Sequence, residues 1–176
     1  LFFLAVASDL YECQLGDLSP LVLVHLGAAS IAIILGAMIF LLPKGTLRHR
    51  VMGSGYIAAM FVTVVSVVPV RATVMPFFGT RFGFFHVFVL FGFGALLFGV
   101  AKLWRWRKTR DVEALRAHQV HLAYSYAGLL MAGFSQLATN PRWQLVELTS
   151  AGQFWGIFTA VNAAIYGGAV GLGRLR

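Results

Sequence analysis

The side chains best able to do chemistry in this chain are its five histidines, His25, His49, His86, His118 and His121, all set near the ends of long apolar runs. Two histidines facing each other from different helices can supply both axial nitrogens of a haem b, which saturates the iron and suits it to electron transfer. His25 opens the first complete apolar run and His86 the third, while His49 opens the second and His118 and His121 the fourth. Runs that cross a bilayer in alternate directions therefore put His25 and His86 in an outer layer and the other three in an inner one. From His25 to Leu42 the helix would rise about 26 Å at 1.5 Å per residue, so the layers stand roughly 20 to 25 Å apart. One group cannot serve both.

A flat macrocycle needs room, and small residues follow the histidines: Gly27, Ala28 and Ala29 after His25, Gly53 after His49, Gly92 and Gly94 after His86, Ala123 and Ser125 after His121. Arg71 and Arg81 on the outer side, and Arg48 and Arg50 on the inner, are available for haem propionates or lipid headgroups. His118 and His121 share a helix face, so one of them ligates, and the deeper His121 is expected to be that one. A zinc or copper site on His118, His121 and His49 is the weaker alternative, since the closest acids, Asp111 and Glu113, sit in the preceding loop. Against both stands simple hydrogen bonding, because polar residues gather at span ends anyway. His49, between Arg48 and Arg50, suits a headgroup-facing role as well as ligation, so a single haem is expected at His25 and His86.

The elements that must position these residues follow from composition. The chain has 176 residues, of which 59% are hydrophobic and 11% charged, with a mean hydropathy of +0.81. That is far from the quarter or so of charged residues in globular proteins and implies an all-α integral membrane protein in contact with the lipid bilayer. The excess of 14 Lys and Arg over 6 Asp and Glu lies in short stretches between apolar runs, where it marks topology rather than nucleic-acid binding. Cys13 is the single cysteine, which excludes an internal disulfide and a covalent haem attachment motif.

Residues 1–20 form a polar outer segment, with Leu1–Ala7 either the end of an earlier helix or, from Ala5-Val6-Ala7, of a signal peptide. Residues 21–176 form one five-helix transmembrane domain with spans at about 21–42, 49–70, 84–104, 118–138 and 151–173. Pro69 should bend or end the second. Eleven of the 14 basic residues fall on one side of these spans, leaving Arg71, Arg81 and Arg142 on the other. The positive-inside rule then puts the N-terminus outside and the C-terminus in the cytoplasm, as in a bacterial inner membrane, with Trp104, Trp106, Trp143 and Trp155 as interfacial anchors. The fifth span carries Gly152, Gly156, Ala160, Ala164 and Gly168 at every fourth position, a close-packing stripe against the other helices, a second copy or another membrane subunit.

Absences narrow the function. None of the six acids falls within a span, which argues against a carboxylate proton or cation relay. No hydrolase or transferase site is evident. Glycine clusters such as Gly92-Phe93-Gly94 lie inside a lipid-spanning run and are not nucleotide loops. Ser30, Thr63, Ser66, Ser125, Ser135, Gln136 and Asn162 are expected to hydrogen-bond within and between helices.

His25 with its Gly/Ala-rich span, then His49-Arg50-x-x-Gly53-x-x-Tyr56, then a histidine heading the fourth span, resembles the uncharacterised bacterial membrane family called domain of unknown function 2306 over about residues 21–140. That resemblance implies no particular activity. The alternation of His25 and His86 with His49 and His121 is similar in plan to transmembrane di-haem cytochrome b proteins. The leading expectation is thus a haem b protein passing electrons in the membrane, with a quinone as a possible partner. The alternative is a non-catalytic accessory or assembly subunit of a larger membrane complex, and a transporter built on the Pro69 kink is third.

Overall fold

The computed structural model describes residues 19–72, 77, 80–140 and 150–174, with no side-chain description from 171 onward. Cys13, Ala5-Val6-Ala7, Arg142, Trp143, Glu147 and Arg176 lie outside the described residues. Five helices make up the described chain: α1 (Pro20–Leu41), α2 (Leu47–Val67), α3 (Phe84–Thr109), α4 (Val112–Thr139) and α5 (Ala151–Arg174).

Their ends follow local chemistry. Ser19 caps α1 through the Val22 N–H, and Pro20 occupies the first turn, where its missing N–H costs nothing. Thr46 caps α2 through the His49 N–H, and α2 stops at Val67, just ahead of Pro69. Among the described residues, α3 continues past Trp104 through the basic stretch, where Arg107 and Lys108 complement the carbonyl end of the helix. Arg110 then adopts a left-handed φ of 57° that turns the chain, and Asp111 caps α4 through the Glu113 N–H at 3.0 Å. The helix boundaries of α3 and α4 therefore run beyond the apolar spans, because capping and charge set them rather than hydropathy.

The helices pair as two hairpins, α1 with α2 and α3 with α4, which meet along α2–α3 and α1–α4; α5 packs on α4. The core joining the hairpins is Ala32, Tyr56, Ala59, Met60, Leu96 and Leu129. On α1 the buried residues are Ala28, Ala32 and Gly36, whereas Leu23, Ile31, Ile34 and Met38 face outward. Small residues inside and large apolar residues outside is the pattern of helices that pack closely within lipid. Among the described residues three helices, α1, α2 and α3, are long and apolar enough to cross a membrane. α4 has the length, but polar residues such as His118, Gln119 and Gln136 dilute its apolarity.

The stripe on α5 turns away from the bundle. Gly152, Gly156, Ala160, Ala164 and Gly168 are all exposed, and the face that packs carries Phe154, Phe158 and Asn162. Phe154 and Phe158 close on Phe85, with Phe84 and Phe88 beside them. Aromatic bulk and one buried amide, rather than small residues, seat this helix on its neighbours.

Candidate functional site between the hairpins

The site is built at one end of the bundle, where the start of α1, the end of α2, the start of α3 and the end of α4 come together. There the two hairpins stand apart around a cavity of about 600 Å³. This lies within the roughly 300–1,000 Å³ range of small-molecule and cofactor sites. Its walls are mainly apolar, with Leu26, Ile33, Met60, Val64, Phe88 and Leu129 among them, and Ala29, Gly92, Gly128, Ala132 and Gly133 leave the space open. His25, His86, Arg71, Gln136 and Asn140 bring polar groups to it.

His25 is held on α1 by a contact to the neighbouring helix. Its Nδ1 lies 2.8 Å from the Thr63 carbonyl oxygen and 3.4 Å from Ser66 Oγ. Because a carbonyl only accepts, Nδ1 carries the hydrogen. Thr63 and Ser66 in turn bond back to the carbonyls of Ala59 and Val62, as short hydroxyls in helices do.

His86 is held by its own helix. It is the third residue after the Gly83 cap of α3, and its Nδ1 accepts the Gly83 N–H at 3.1 Å while its own N–H donates to the Gly83 carbonyl at 2.9 Å. Its Nε2 is buried with no hydrogen-bond partner among the described residues. Phe82 stands edge-on to the ring at 5.4 Å between centroids.

Of the two arginines expected at this end, Arg71 lines the cavity and Arg81 does not. Arg81 is exposed, and its carbonyl accepts the Ala72 N–H at 2.8 Å, which ties the segment after α2 to the segment before α3. The small residues also divide. Ala29 and Gly92 line the cavity, whereas a Cβ at Gly27 or Gly94 would meet nothing within 4 Å. A Cβ on Gly128 would stand 3.3 Å from the Gly92 Cα, so these two glycines let α3 and α4 cross at backbone contact on the cavity floor.

At the opposite end lie His49, His118 and His121. His118 Nδ1 donates to the Gly99 carbonyl on α3 at 2.9 Å, and His118 is near enough to His49 to act on it electrostatically. His49 Nδ1 is buried without a hydrogen-bond partner among the described residues. His121 instead lies beside the Phe98 ring, 6.0 Å between centroids. The histidine with a cross-helix hydrogen bond at this end is thus His118, one turn nearer the helix start than His121. Arg48 and Arg50 are exposed at the start of α2. Among the described residues no cluster of three or more His, Cys, Asp or Glu forms. Asp111 and Glu113 pair instead with Arg105 at 3.2 Å and Arg116 at 2.6 Å.

Between the two ends, Tyr56 Oη and Ser125 Oγ are 3.0 Å apart, both fully buried. The tyrosine of the His-Arg-x-x-Gly-x-x-Tyr stretch therefore bolts α2 to α4. A Cβ on Gly53 would meet nothing within 4 Å.

Sequence reasoning missed the α4 wall of the cavity, Gly128, Ala132, Gly133, Gln136 and Asn140, because nothing in its spacing pointed to a histidine two helices away. It also missed the capping role of His86, for which the signal was present: a glycine followed three residues later by a side chain able to accept from its N–H. No family model, curated protein or solved structure matches this chain. Its function must be argued from the site.

Proposed function

We propose that this chain is a five-span integral membrane protein of a bacterial inner membrane that binds haem b in the cavity at the His25 end and carries electrons there. The observation that carries the reading is the meeting of His25 and His86, one from each hairpin, on the walls of one largely apolar cavity of about 600 Å³. The donor set fits the group. His25 has its Nδ1 hydrogen committed to a backbone carbonyl, the support that metal-binding histidines usually have. His86, on the same cavity wall, accepts the Gly83 N–H at Nδ1 and keeps a buried Nε2 with no partner among the described residues, a group for the surroundings of the haem rather than a second donor to its iron. Arg71, at the same cavity, is placed to bind a propionate. Haem supplies one-electron chemistry when bound, and the chain would supply a largely apolar pocket and the nitrogen ligation. A quinone is the partner we propose for the electrons.

The five-span topology rests on helix lengths of 28 residues for α4 and 24 for α5, enough at 1.5 Å per residue for a bilayer of about 30 Å, and on the basic excess at the His49 end. Reporter fusions at the C-terminus test it: a signal from the outer side would overturn the orientation. The haem reading is tested by the visible spectrum of the purified chain. A Soret band that depends on His25 is expected, and its absence from protein made with ample haem would remove the reading.

One observation favours a second reading, an accessory subunit of a membrane complex. The small-residue stripe of α5 is exposed from Gly152 to Gly168, open to another helix. Gly156→Leu should then abolish co-purification with a partner or with a second copy. A chain that purifies alone, unchanged by that substitution, would count against it.

A further inference from the structure

We infer that His25 and His86 do different work in the cavity: His25 ligates the haem iron, and His86 donates a hydrogen bond to a small ligand held in the coordination position opposite. This rests on the haem reading and sharpens it, from a saturated electron-transfer centre to one that takes an exogenous ligand. The class of ligand is a small anion or diatomic molecule whose free end accepts a hydrogen bond.

The inference follows from where each ring keeps its hydrogen. A neutral imidazole has one N–H and one lone pair, and the partner of one nitrogen fixes the state of the other. At His25 the Thr63 carbonyl, 2.8 Å from Nδ1, can only accept. Ser66 Oγ, 3.4 Å away, is 2.6 Å from the Val62 carbonyl, to which its own hydrogen goes, so it too offers Nδ1 a lone pair. Both contacts put the hydrogen on Nδ1 and leave Nε2 with the lone pair that binds a metal.

At His86 the logic is reversed. The Gly83 N–H, 3.1 Å from Nδ1, can only donate, so Nδ1 holds the lone pair and the hydrogen sits on Nε2. That Nε2–H is buried and has no acceptor among the described residues. A buried donor left unpaired is costly, which is why nearly all such groups have partners. For His86 to ligate iron through Nε2, its hydrogen would have to move to Nδ1, setting two N–H groups against each other and uncapping α3. Keeping the cap and donating from Nε2 satisfies both nitrogens at once. With only His25 bound, the iron has an open position, and a hydrogen-bond donor beside that position is one of the levers that decide between ligand binding and electron transfer.

The test uses the purified full-length chain in detergent, with cyanide as the probe ligand of the ferric form. The wild type is expected to show a Soret band and high-spin ferric signals in optical and electron paramagnetic resonance spectra, and to bind cyanide. His86→Leu should keep the haem and its high-spin state but bind cyanide about tenfold more weakly, the effect of losing a hydrogen bond to a charged group. His86→Gln, which retains an N–H donor, should recover part of that loss. His25→Gly should lose the haem and regain it when imidazole is added. A low-spin wild type that refuses cyanide, and becomes high-spin in His86→Leu, would make His86 a second iron ligand and overturn the inference while leaving the haem reading intact. Protein with no Soret band would overturn both. If His86→Leu fails to accumulate because α3 loses its cap, the spin state and cyanide binding of the wild type decide alone.

Discussion

The same four helices do opposite things at their two ends. Toward the His49 end they close on one another: the Tyr126 ring fills the notch at Gly36 and its hydroxyl donates to the Ile33 carbonyl at 3.1 Å, and Leu122 fills the notch at Gly99. Toward the His25 end the two hairpins stand apart around about 600 Å³ lined by Ala29, Ala132 and Gly133, while Gly92 and Gly128 bring α3 and α4 into backbone contact within their own hairpin. Small residues thus serve packing at the His49 end, and at the His25 end they serve it within the α3–α4 hairpin while leaving space between the hairpins. What separates the two is the facing side chain: a large aromatic or leucine fills each notch at the His49 end, and at the His25 end no side chain does. A cavity walled by histidines from both hairpins, beside closely filled notches at the other end, is what supports our proposal of a binding site here.

The contrast can be broken by substitutions read as changes in unfolding free energy in detergent. Tyr56→Ala, which empties the seam between the ends and strands Ser125, should cost most, about 3–5 kcal/mol. Next comes a matched pair. Gly36→Ala drives a methyl into the Tyr126 ring and should cost roughly 1–3 kcal/mol, whereas Gly133→Ala meets only Ile33 Cδ1 at 3.9 Å and should fall within about 0.5 kcal/mol of wild type. Equal costs at both glycines would show that the two ends are packed alike. Smaller still is Asn162→Ala, which removes the 2.9 Å bond to Ser135 and should cost about 0.6 kcal/mol, in line with interhelical hydrogen bonds in membranes.

Legibility in the sequence followed the same division. The helices were readable because twenty or so apolar residues between Pro, Gly and charged stretches have few other solutions, and the two histidine layers followed from their places along those runs. Span ends were less so: α3 runs on to Thr109 and α4 starts at Val112 because Arg110 and Asp111 set the turn, which hydropathy does not register. The α5 stripe was visible, but not which way it faced, since orientation is decided by Phe154 and Phe158 finding Phe85 across the bundle. His25 was recognisable as a site residue, but its partner, the Thr63 carbonyl, is a backbone group that no spacing rule names. That His118 bonds across to α3 depends on the position of the Gly99 carbonyl, another backbone group that depth in the membrane does not give.

The most direct test of the central claim is the Soret absorbance per chain of two single variants purified side by side, His25→Ala and His49→Ala. The account predicts that His25→Ala loses the band while His49→Ala keeps it, because the cavity lies at the His25 end. A band that survives in His25→Ala and vanishes in His49→Ala, or no band in the wild type, would contradict it.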